Sequence, residues 1–172
     1  ISILFKIFNE FDIIDSDQID ELESSVRSLK ENSDDYSIID PVNNNAICLA
    51  LKICNTFNII YTSTNMEVVG MRFRAQLAEN AKMLASHFIF PEQNHNEIEA
   101  FSNLYIEQIN ILWIHDSSNS KKILKRMQVT SSILDDKVGN HIIEFNGNSF
   151  IERELKIIYF LDWVSFYCSI LV

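Results

Sequence analysis

The sequence predicts an α/β fold, a three-layer α-β-α sandwich around a mainly parallel sheet of four or five strands. Short, predominantly apolar runs have the length and composition of strands that are covered on both faces, at residues 58–63, 87–90, 109–115 and 141–145. A segment with helical periodicity separates each run from the next. This alternation is typical of βαβ units joined by right-handed crossovers.

The expected elements follow in order along the chain. Before the first strand we expect helices over residues 1–11, over about 16–30 with Ser16 or Asp17 as its cap, and from Asn43–Asn45 through Cys54. The first strand, 58–63, leads into a helix over about 67–86 and the second strand, 87–90, ends at Pro91. Helices over about 96–107, over about 121–138 and from Phe150 onward alternate with the remaining strands, 109–115 and 141–145.

Size and composition allow one domain with a substantial core. The chain has 172 residues, 47% hydrophobic and 22% charged. The longest apolar stretch, from Ile157 to Val172, is interrupted by Asp162 and is shorter than the ~18–20 residues of a membrane span. A buried helix is the favoured interpretation, with a membrane-surface helix as the alternative. No signal peptide is recognisable, and a cytoplasmic location is expected.

Charge and glycine content exclude several classes of function. A net charge of −10 argues against nonspecific binding to nucleic acid, and the basic cluster 121–127 is expected to be a solvated helix face rather than a binding patch. With three glycines in all, the chain has neither a Rossmann fingerprint nor a P-loop. Cys48, Cys54 and Cys168 lack metal-ligand spacing, so we expect buried free thiols and no metal site.

Three strand-to-helix loops are the expected place for chemistry, because ligands of parallel sheets bind beyond the carboxyl ends of the strands. They are residues 61–65, 91–97 and 115–120. The first could bind an anion, although a helix cap by Thr64 or Asn65 is the favoured interpretation. The other histidines and tryptophans are expected to be structural: His87 and His141 in strands, His115 with Asp116 at a strand end where they could hydrogen-bond locally, and Trp113 and Trp163 in the core.

Glu79 and His95 are the candidate acid–base residues. Glu79 faces away from the apolar stripe of its helix, which alone predicts a solvated glutamate. That stripe is Val69, Phe73, Leu77, Ala81 and Leu84. Asn94 and Glu97 could form a capping box around His95, whose simplest interpretation is an exposed first-turn histidine. A carboxylate and an imidazole nevertheless suit proton transfer near neutral pH.

The stretch "MRFRAQLAENAKMLASHFIFPEQNHNEI" carries both candidates, and it resembles the signature of the archaeal and bacterial bifunctional phosphoglucose/phosphomannose isomerases of the sugar isomerase (SIS) superfamily. The matching motifs are Arg72 to Gln76, Glu79 to Lys82 and Pro91 to Glu97. Looser similarity includes "NNNAICLA" and "IIYFLDWVSFYCSIL". The resemblance implies a flavodoxin-like SIS fold.

The resemblance further implies isomerisation of glucose 6-phosphate or mannose 6-phosphate to fructose 6-phosphate through a cis-enediol. Glu79 would be the base that moves the proton between C2 and C1. His95 would assist ring opening and would reach the site from the neighbouring subunit of a homodimer. Neither a metal nor an organic cofactor is implied, and the partner molecules are the sugar phosphate and the second subunit.

The chain departs from the family pattern at both ends. The Ser/Thr-rich phosphate loop of an N-terminal SIS half is not found, and neither is the family's C-terminal active-site lysine. Residues 1–35 are therefore interpreted as a helical lead-in from a missing N-terminal half, and 36–172 as a C-terminal SIS domain truncated at its end. We expect this chain alone to be poorly active. The alternatives are a non-catalytic sugar-phosphate-binding regulatory SIS module and, more weakly, a structural dimerisation domain.

Overall fold

The computed structural model describes residues 2–31, 34–103, 108–135 and 137–172. The helices are α1 (Ser2–Glu10), α2 (Ser16–Glu31), α3 (Asn45–Ile53), α4 (Glu67–Ala81), α5 (Gln93–Asn96), α6 (Lys121–Leu134) and α7 (Phe150–Leu171). The strands are β1 (Phe57–Ser63), β2 (Ala85–Phe90), β3 (Ile109–Ile114) and β4 (Gly139–Ile143). Short 3-10 segments lie at Asp34–Tyr36, Thr64–Met66 and Ile98–Asn103.

The strands form one parallel sheet in the order β2-β1-β3-β4. Ile60 in the centre of β1 lies opposite His87 on one side and Leu112 on the other. The sheet confirms the predicted parallel architecture with four strands. Its carboxyl edge is formed by Ser63, Phe90, Ile114 and Ile143, the last residues of the strands.

Helices cover both faces of the sheet, as the continuous apolar strands predict. On one face, α3, α4 and α7 pack against inward residues such as Ile60 and Leu112. On the other face, α6 and the 98–103 segment cover Tyr61, Trp113 and their neighbours. Adjacent residues of one strand thus enter different cores, because side chains alternate between the two faces of a sheet.

Side-chain caps start three helices where the sequence predicts them. Asn44 Oδ1 accepts hydrogen bonds from the backbone N–H groups of Ala46 and Ile47 at the start of α3. Ser120 Oγ accepts from the N–H of Ile123 at the start of α6, and the Ser149 side chain accepts from the N–H of Glu152 at the start of α7. Each cap satisfies a backbone donor that the first turn of a helix leaves unpaired.

Several predicted boundaries are wrong. The helix expected over 96–107 is replaced by the one-turn α5 and the 3-10 segment Ile98–Asn103, and residues 104–107 lie outside the described residues. Helix α4 ends at Ala81 instead of residue 86, because Lys82 adopts the left-handed conformation. Leu84 consequently leaves the predicted stripe and is 78% exposed, whereas Val69, Phe73, Leu77 and Ala81 are buried.

Helix α6 ends at Leu134 rather than 138, and β4 covers 139–143 rather than 141–145. Helix α7 contains the apolar stretch, and Ile157, Leu161 and Val164 are buried, as the buried-helix interpretation predicts. None of the helices in the described part of the chain combines the length and hydropathy that crossing a bilayer requires.

The cysteines are only partly as expected. All three are free, but only Cys168 is buried, while Cys48 and Cys54 are half-buried on α3 and at its end. The prediction of three buried thiols is therefore wrong for two of them. Burial raises the pKa of the Cys168 thiol to about 12, with a smaller contribution from Cys54.

Candidate functional site

Glu79 lies exposed in the last turn of α4, on the side away from the core, as its position in the helical period predicts. Two side-chain contacts join α4 to α7, one from a residue before Glu79 and one from the residue after it. Arg72 Nη2 donates to both carboxylate oxygens of Asp162 at 3.2 and 3.0 Å, and Asn80 Nδ2 donates to Ser165 Oγ at 3.0 Å. Polar side chains on either side of Glu79 in the sequence thus add contacts between α4 and α7.

The backbone at the end of α4 is also held by side chains. Lys82 Nζ donates to the backbone oxygen of Glu79 at 2.7 Å. The backbone N–H of Met83 closes the helix by donating to the oxygen of Leu77 at 3.0 Å. The Oε1 atom of Gln76, one turn before Glu79, is buried and has no hydrogen-bond partner among the described residues. Glu79 therefore stands on a well-fixed helix end while its own side chain faces outward.

His95 lies exposed on the one-turn helix α5, just beyond the carboxyl end of β2. Three residues near it are buried or bonded to other elements. Gln93 is 2% exposed, Asn94 Nδ2 donates to Thr130 Oγ1 of α6 at 2.8 Å, and Glu97 Oε2 accepts from the hydroxyl of Tyr61 at 2.5 Å. The predicted capping box of Asn94 and Glu97 is therefore wrong, because both side chains bond to other elements of the fold.

Glu79 and His95 lie far apart within one copy of the chain. Helix α4 starts at the carboxyl edge of the sheet and returns the chain to the amino edge, so Glu79 lies near the beginning of β2. His95 follows the end of that strand, and the strand's six residues span about 20 Å. The two side chains consequently lie toward opposite edges of the sheet within one copy of the chain.

A buried ion pair fills the carboxyl edge between β3 and α7. Arg153 Nε donates to Asp116 Oδ1 at 2.5 Å and Arg153 Nη2 donates to Asp116 Oδ2 at 3.3 Å. The side chain of Asp116 is fully buried and that of Arg153 is 10% exposed. Burial alone would raise the pKa of Asp116, but hydrogen bonds from Arg153 and Ser118 lower it below its usual value. Asp116 is thus an ionised, paired carboxylate at neutral pH.

The 61–65 loop is bonded into this same network. Ser63 Oγ donates to Asn65 Oδ1 at 2.7 Å, Asn119 Nδ2 donates to Ser63 Oγ at 2.9 Å, and Asn65 Nδ2 donates to Asp116 Oδ2 at 3.3 Å. Neither Thr64 nor Asn65 caps α4, whose first residue is preceded by Met66 without a side-chain cap. The predicted cap is wrong. The polar groups of Ser63 and Asn65 that could hold an anion are instead engaged with neighbouring side chains.

The remaining histidines belong to the sheet. His87 Nε2 lies 2.8 Å from Thr62 Oγ1, and His141 Nε2 lies 2.8 Å from Asn110 Oδ1. Burial lowers the pKa of both imidazoles. His115 Nε2 lies 3.8 Å from Glu144 Oε2, and its Nδ1 is buried without a partner among the described residues. These positions confirm the structural interpretation of His87 and His141.

The basic cluster on α6 borders a groove of about 780 Å³ that also touches Asn94 and Ile98. The cationic residues of this cluster are exposed, as expected of a solvated helix face. They are Lys121, Lys122, Lys125 and Arg126. Within the described ranges, no three His, Cys, Asp or Glu side chains converge as metal ligands would.

Several side-chain hydrogen bonds near His95 could not be predicted from the sequence. Tyr61 and Glu97 are far apart in sequence, as are Asn94 and Thr130, and no local pattern pairs them. The available signal was the motif itself, because a proline followed by six polar and charged residues directly after a strand, Pro91 to Glu97, exceeds what a simple turn requires.

Comparison with known proteins identifies the family. A model of the "bacterial phospho-glucose isomerase C-terminal SIS domain" matches residues 42–172. The chain belongs to this family. The bifunctional phosphoglucose/phosphomannose isomerase of Caldicellulosiruptor bescii is 33% identical over 157 residues, which are 88% of this chain and 46% of that protein. The enzyme of the same name from Aquifex aeolicus is 28% identical over 152 residues, or 87% of this chain and 46% of that protein.

Solved structures show the same fold at low sequence identity. A glucose-6-phosphate isomerase like protein from Thermus thermophilus superposes with a TM-score of 0.70 at 14% identity, covering 96% of this chain and 53% of that one. The C-terminal domain of glucosamine-fructose-6-phosphate aminotransferase from Francisella tularensis gives 0.65 at 10% identity, covering 93% of this chain and 47% of that one. The SIS chain described here spans about half the length of the curated relatives it matches.

Proposed function

We propose that this SIS chain is the C-terminal half of an aldose–ketose isomerase that converts glucose 6-phosphate or mannose 6-phosphate to fructose 6-phosphate. The observation that carries the proposal is the family match, which includes both motifs around Glu79 and His95. Residues 1–35 would lead in from an N-terminal SIS half of the same cytoplasmic protein, and 36–172 would be the second half. The phosphate of the substrate would bind mainly to that other half.

Glu79 would act as the base. Abstracting the C2 proton next to a carbonyl requires a carboxylate held at a fixed position near C2 and C1, from which it can return the proton to C1. The contacts of Asn80 and Lys82 support this role, since they hold the end of α4 while leaving the Glu79 side chain outward and available. The electron pair left at C2 would form the C1–C2 double bond and the carbonyl π electrons would pass to O1, which becomes the hydroxyl of the cis-enediol by taking up a proton from solvent.

His95 would open the sugar ring of a substrate bound to a second copy of the chain. Ring opening removes a proton from the anomeric hydroxyl and delivers one to the ring oxygen, and an imidazole can do both near neutral pH. The exposure of His95 and its separation from Glu79 in one copy favour a homodimer, in which each site takes Glu79 from one subunit and His95 from the other.

Kinetics of two variants of the full-length protein test this function. Glu79→Gln should lower kcat/KM for glucose 6-phosphate by about 100-fold or more, which corresponds to about 3 kcal/mol of transition-state stabilisation. His95→Ala should also lower kcat, while Glu23→Gln, which changes an exposed glutamate of α2 outside the candidate site, serves as the matched control. Wild-type rates in both variants would favour the alternative, a non-catalytic sugar-phosphate-binding regulatory module.

A further inference from the structure

The short segment that carries His95 is not stable by itself. Helix α5 has four residues and one turn, too short to be stable by itself in water. Its backbone hydrogen bonds amount to a single turn, with one from the N–H of His95 to the oxygen of Glu92 at 3.0 Å and one from the N–H of Glu97 to the oxygen of Gln93 at 2.9 Å. Contacts with the rest of the fold must therefore hold it in place.

One of those contacts reaches the centre of the sheet. Tyr61 is completely buried in β1, where its ring packs 5.0 Å from that of Trp113, and its hydroxyl donates to Glu97 at 2.5 Å. Burial is the main cause that raises the pKa of Tyr61, and the adjacent Glu97 raises it further. The phenol therefore remains a protonated donor at physiological pH. A charge-assisted bond of this length is among the stronger side-chain hydrogen bonds.

A second contact holds the other side of the segment. Asn94 Nδ2 donates to Oγ1 of Thr130, which is 3% exposed on α6. His95 therefore lies between two residues that are bonded to different elements, Asn94 to α6 and Glu97 to β1. Together with the buried Gln93, these contacts fix the turn on the protein while the side chain of His95, like that of Asn96, stays exposed.

We propose that Tyr61, through its buried hydrogen bond to Glu97, is a positioning residue for His95, with Thr130 as the second anchor of the same turn. This inference rests on the proposed isomerase function. It assigns to Glu97 an anchoring task and not proton transfer, even though Glu97 is an acidic residue two positions from the candidate acid–base histidine. The identical contact would be needed in each subunit, because each His95 would serve the partner's site.

The test measures kcat and KM for glucose 6-phosphate in the full-length protein. Tyr61→Phe removes the donor while keeping the ring, and should lower kcat by about 10-fold to 100-fold with KM changed by no more than about 2-fold. Tyr167→Phe is a matched control, because Tyr167 is also buried and its hydroxyl donates to the backbone oxygen of Tyr36, far from α5 on the other face of the sheet. It should lower stability without this loss of kcat.

Two substitutions of Glu97 separate anchoring from acid–base chemistry. Glu97→Gln retains an oxygen that can accept from Tyr61, whereas Glu97→Leu removes the acceptor. The anchoring role predicts that Glu97→Gln recovers most of the activity lost in Glu97→Leu. Equal losses in the two variants would show that the charge of Glu97 is what matters, and would overturn the proposal. These variants also provide the answer if Tyr61→Phe does not fold.

A double-mutant cycle with His95→Asn gives the decisive readout. If Tyr61 acts through His95, adding Tyr61→Phe to His95→Asn should change kcat by no more than about 2-fold, whereas independent effects would multiply. Multiplying effects would overturn the positioning role while leaving the proposed function intact. A His95→Asn variant with wild-type kcat would instead contradict the role proposed for His95 itself, so the two failures are distinguishable.

Discussion

Replacing Arg153 by methionine tests the energetics of the carboxyl edge. The variant keeps an unbranched side chain of similar length but removes both hydrogen bonds to Asp116 and the bond from Arg153 Nη1 to the backbone oxygen of Gly147. The Asp116 side chain is fully buried, so its carboxylate would keep only the bonds from Ser118 and Asn65. An uncompensated buried charge is the expected result.

The expected loss of unfolding free energy follows from the burial of the Asp116 side chain. Breaking a buried ion pair by removing one partner costs about 3 to 5 kcal/mol of unfolding free energy. For a domain of this size, such a loss lowers the melting temperature by about 6 to 20 °C. The penalty should shrink as the pH falls toward about 4, because burial raises the pKa of the unpaired Asp116, which then takes up a proton above the usual range of an aspartate and becomes neutral.

The assay is urea denaturation at pH 7 with Arg72→Met as the control. Arg72 forms a comparable pair with Asp162, but their side chains are 49% and 36% exposed, and such pairs contribute no more than about 1 kcal/mol. Arg153→Met should lose about 3 to 5 kcal/mol of unfolding free energy and Arg72→Met no more than about 1 kcal/mol. Similar losses in the two variants would contradict the stabilising role of the buried pair.

Three further predictions concern stability and reactivity. Hydrogen bonds, first from Lys156, lower the pKa of Glu152 from 4.5 to about 2, so its stabilising contribution is present above pH 4.5 and lost as the pH falls toward 2. Glu152→Gln should flatten the dependence of unfolding free energy on pH in that window. Gly70→Ala should cost about 1 to 3 kcal/mol in urea denaturation, because its Cβ would lie 2.6 Å from His87. Thiol labelling of the native protein should leave Cys168 unmodified, with unfolded protein as the positive control.

The sheet could be predicted because its signals are local. Continuous apolar runs such as 109–114 fix the strands and their burial, and the intervening helices force parallel pairing. Caps at Asn44 and Ser120 mark helix starts for the same reason, since a side chain bonds to a backbone N–H two or three residues ahead.

The errors arise where tertiary contacts override local patterns. Asn94 and Glu97 have the spacing of a capping box, yet Thr130 and Tyr61 provide partners that the sequence does not reveal. The end of α4 was placed too late because the helical period continues to Leu84, while the left-handed conformation of Lys82 ends the helix earlier. Glu79 and His95 could be selected by motif, but their separation within one copy depends on the course of the chain around the sheet.

Glu79 of one subunit and His95 of the other are proposed to form one site, and mixing two inactive variants of the full-length protein shows whether they do. Hybrid dimers of Glu79→Gln and His95→Asn would have one site with both native residues and one with neither. After subunits exchange freely, half of the dimers are hybrids, so activity should recover to about a quarter of the wild-type value. Activity that stays at the sum of the two separate variants, in samples where hybrid dimers are shown to form, would contradict a site shared between subunits.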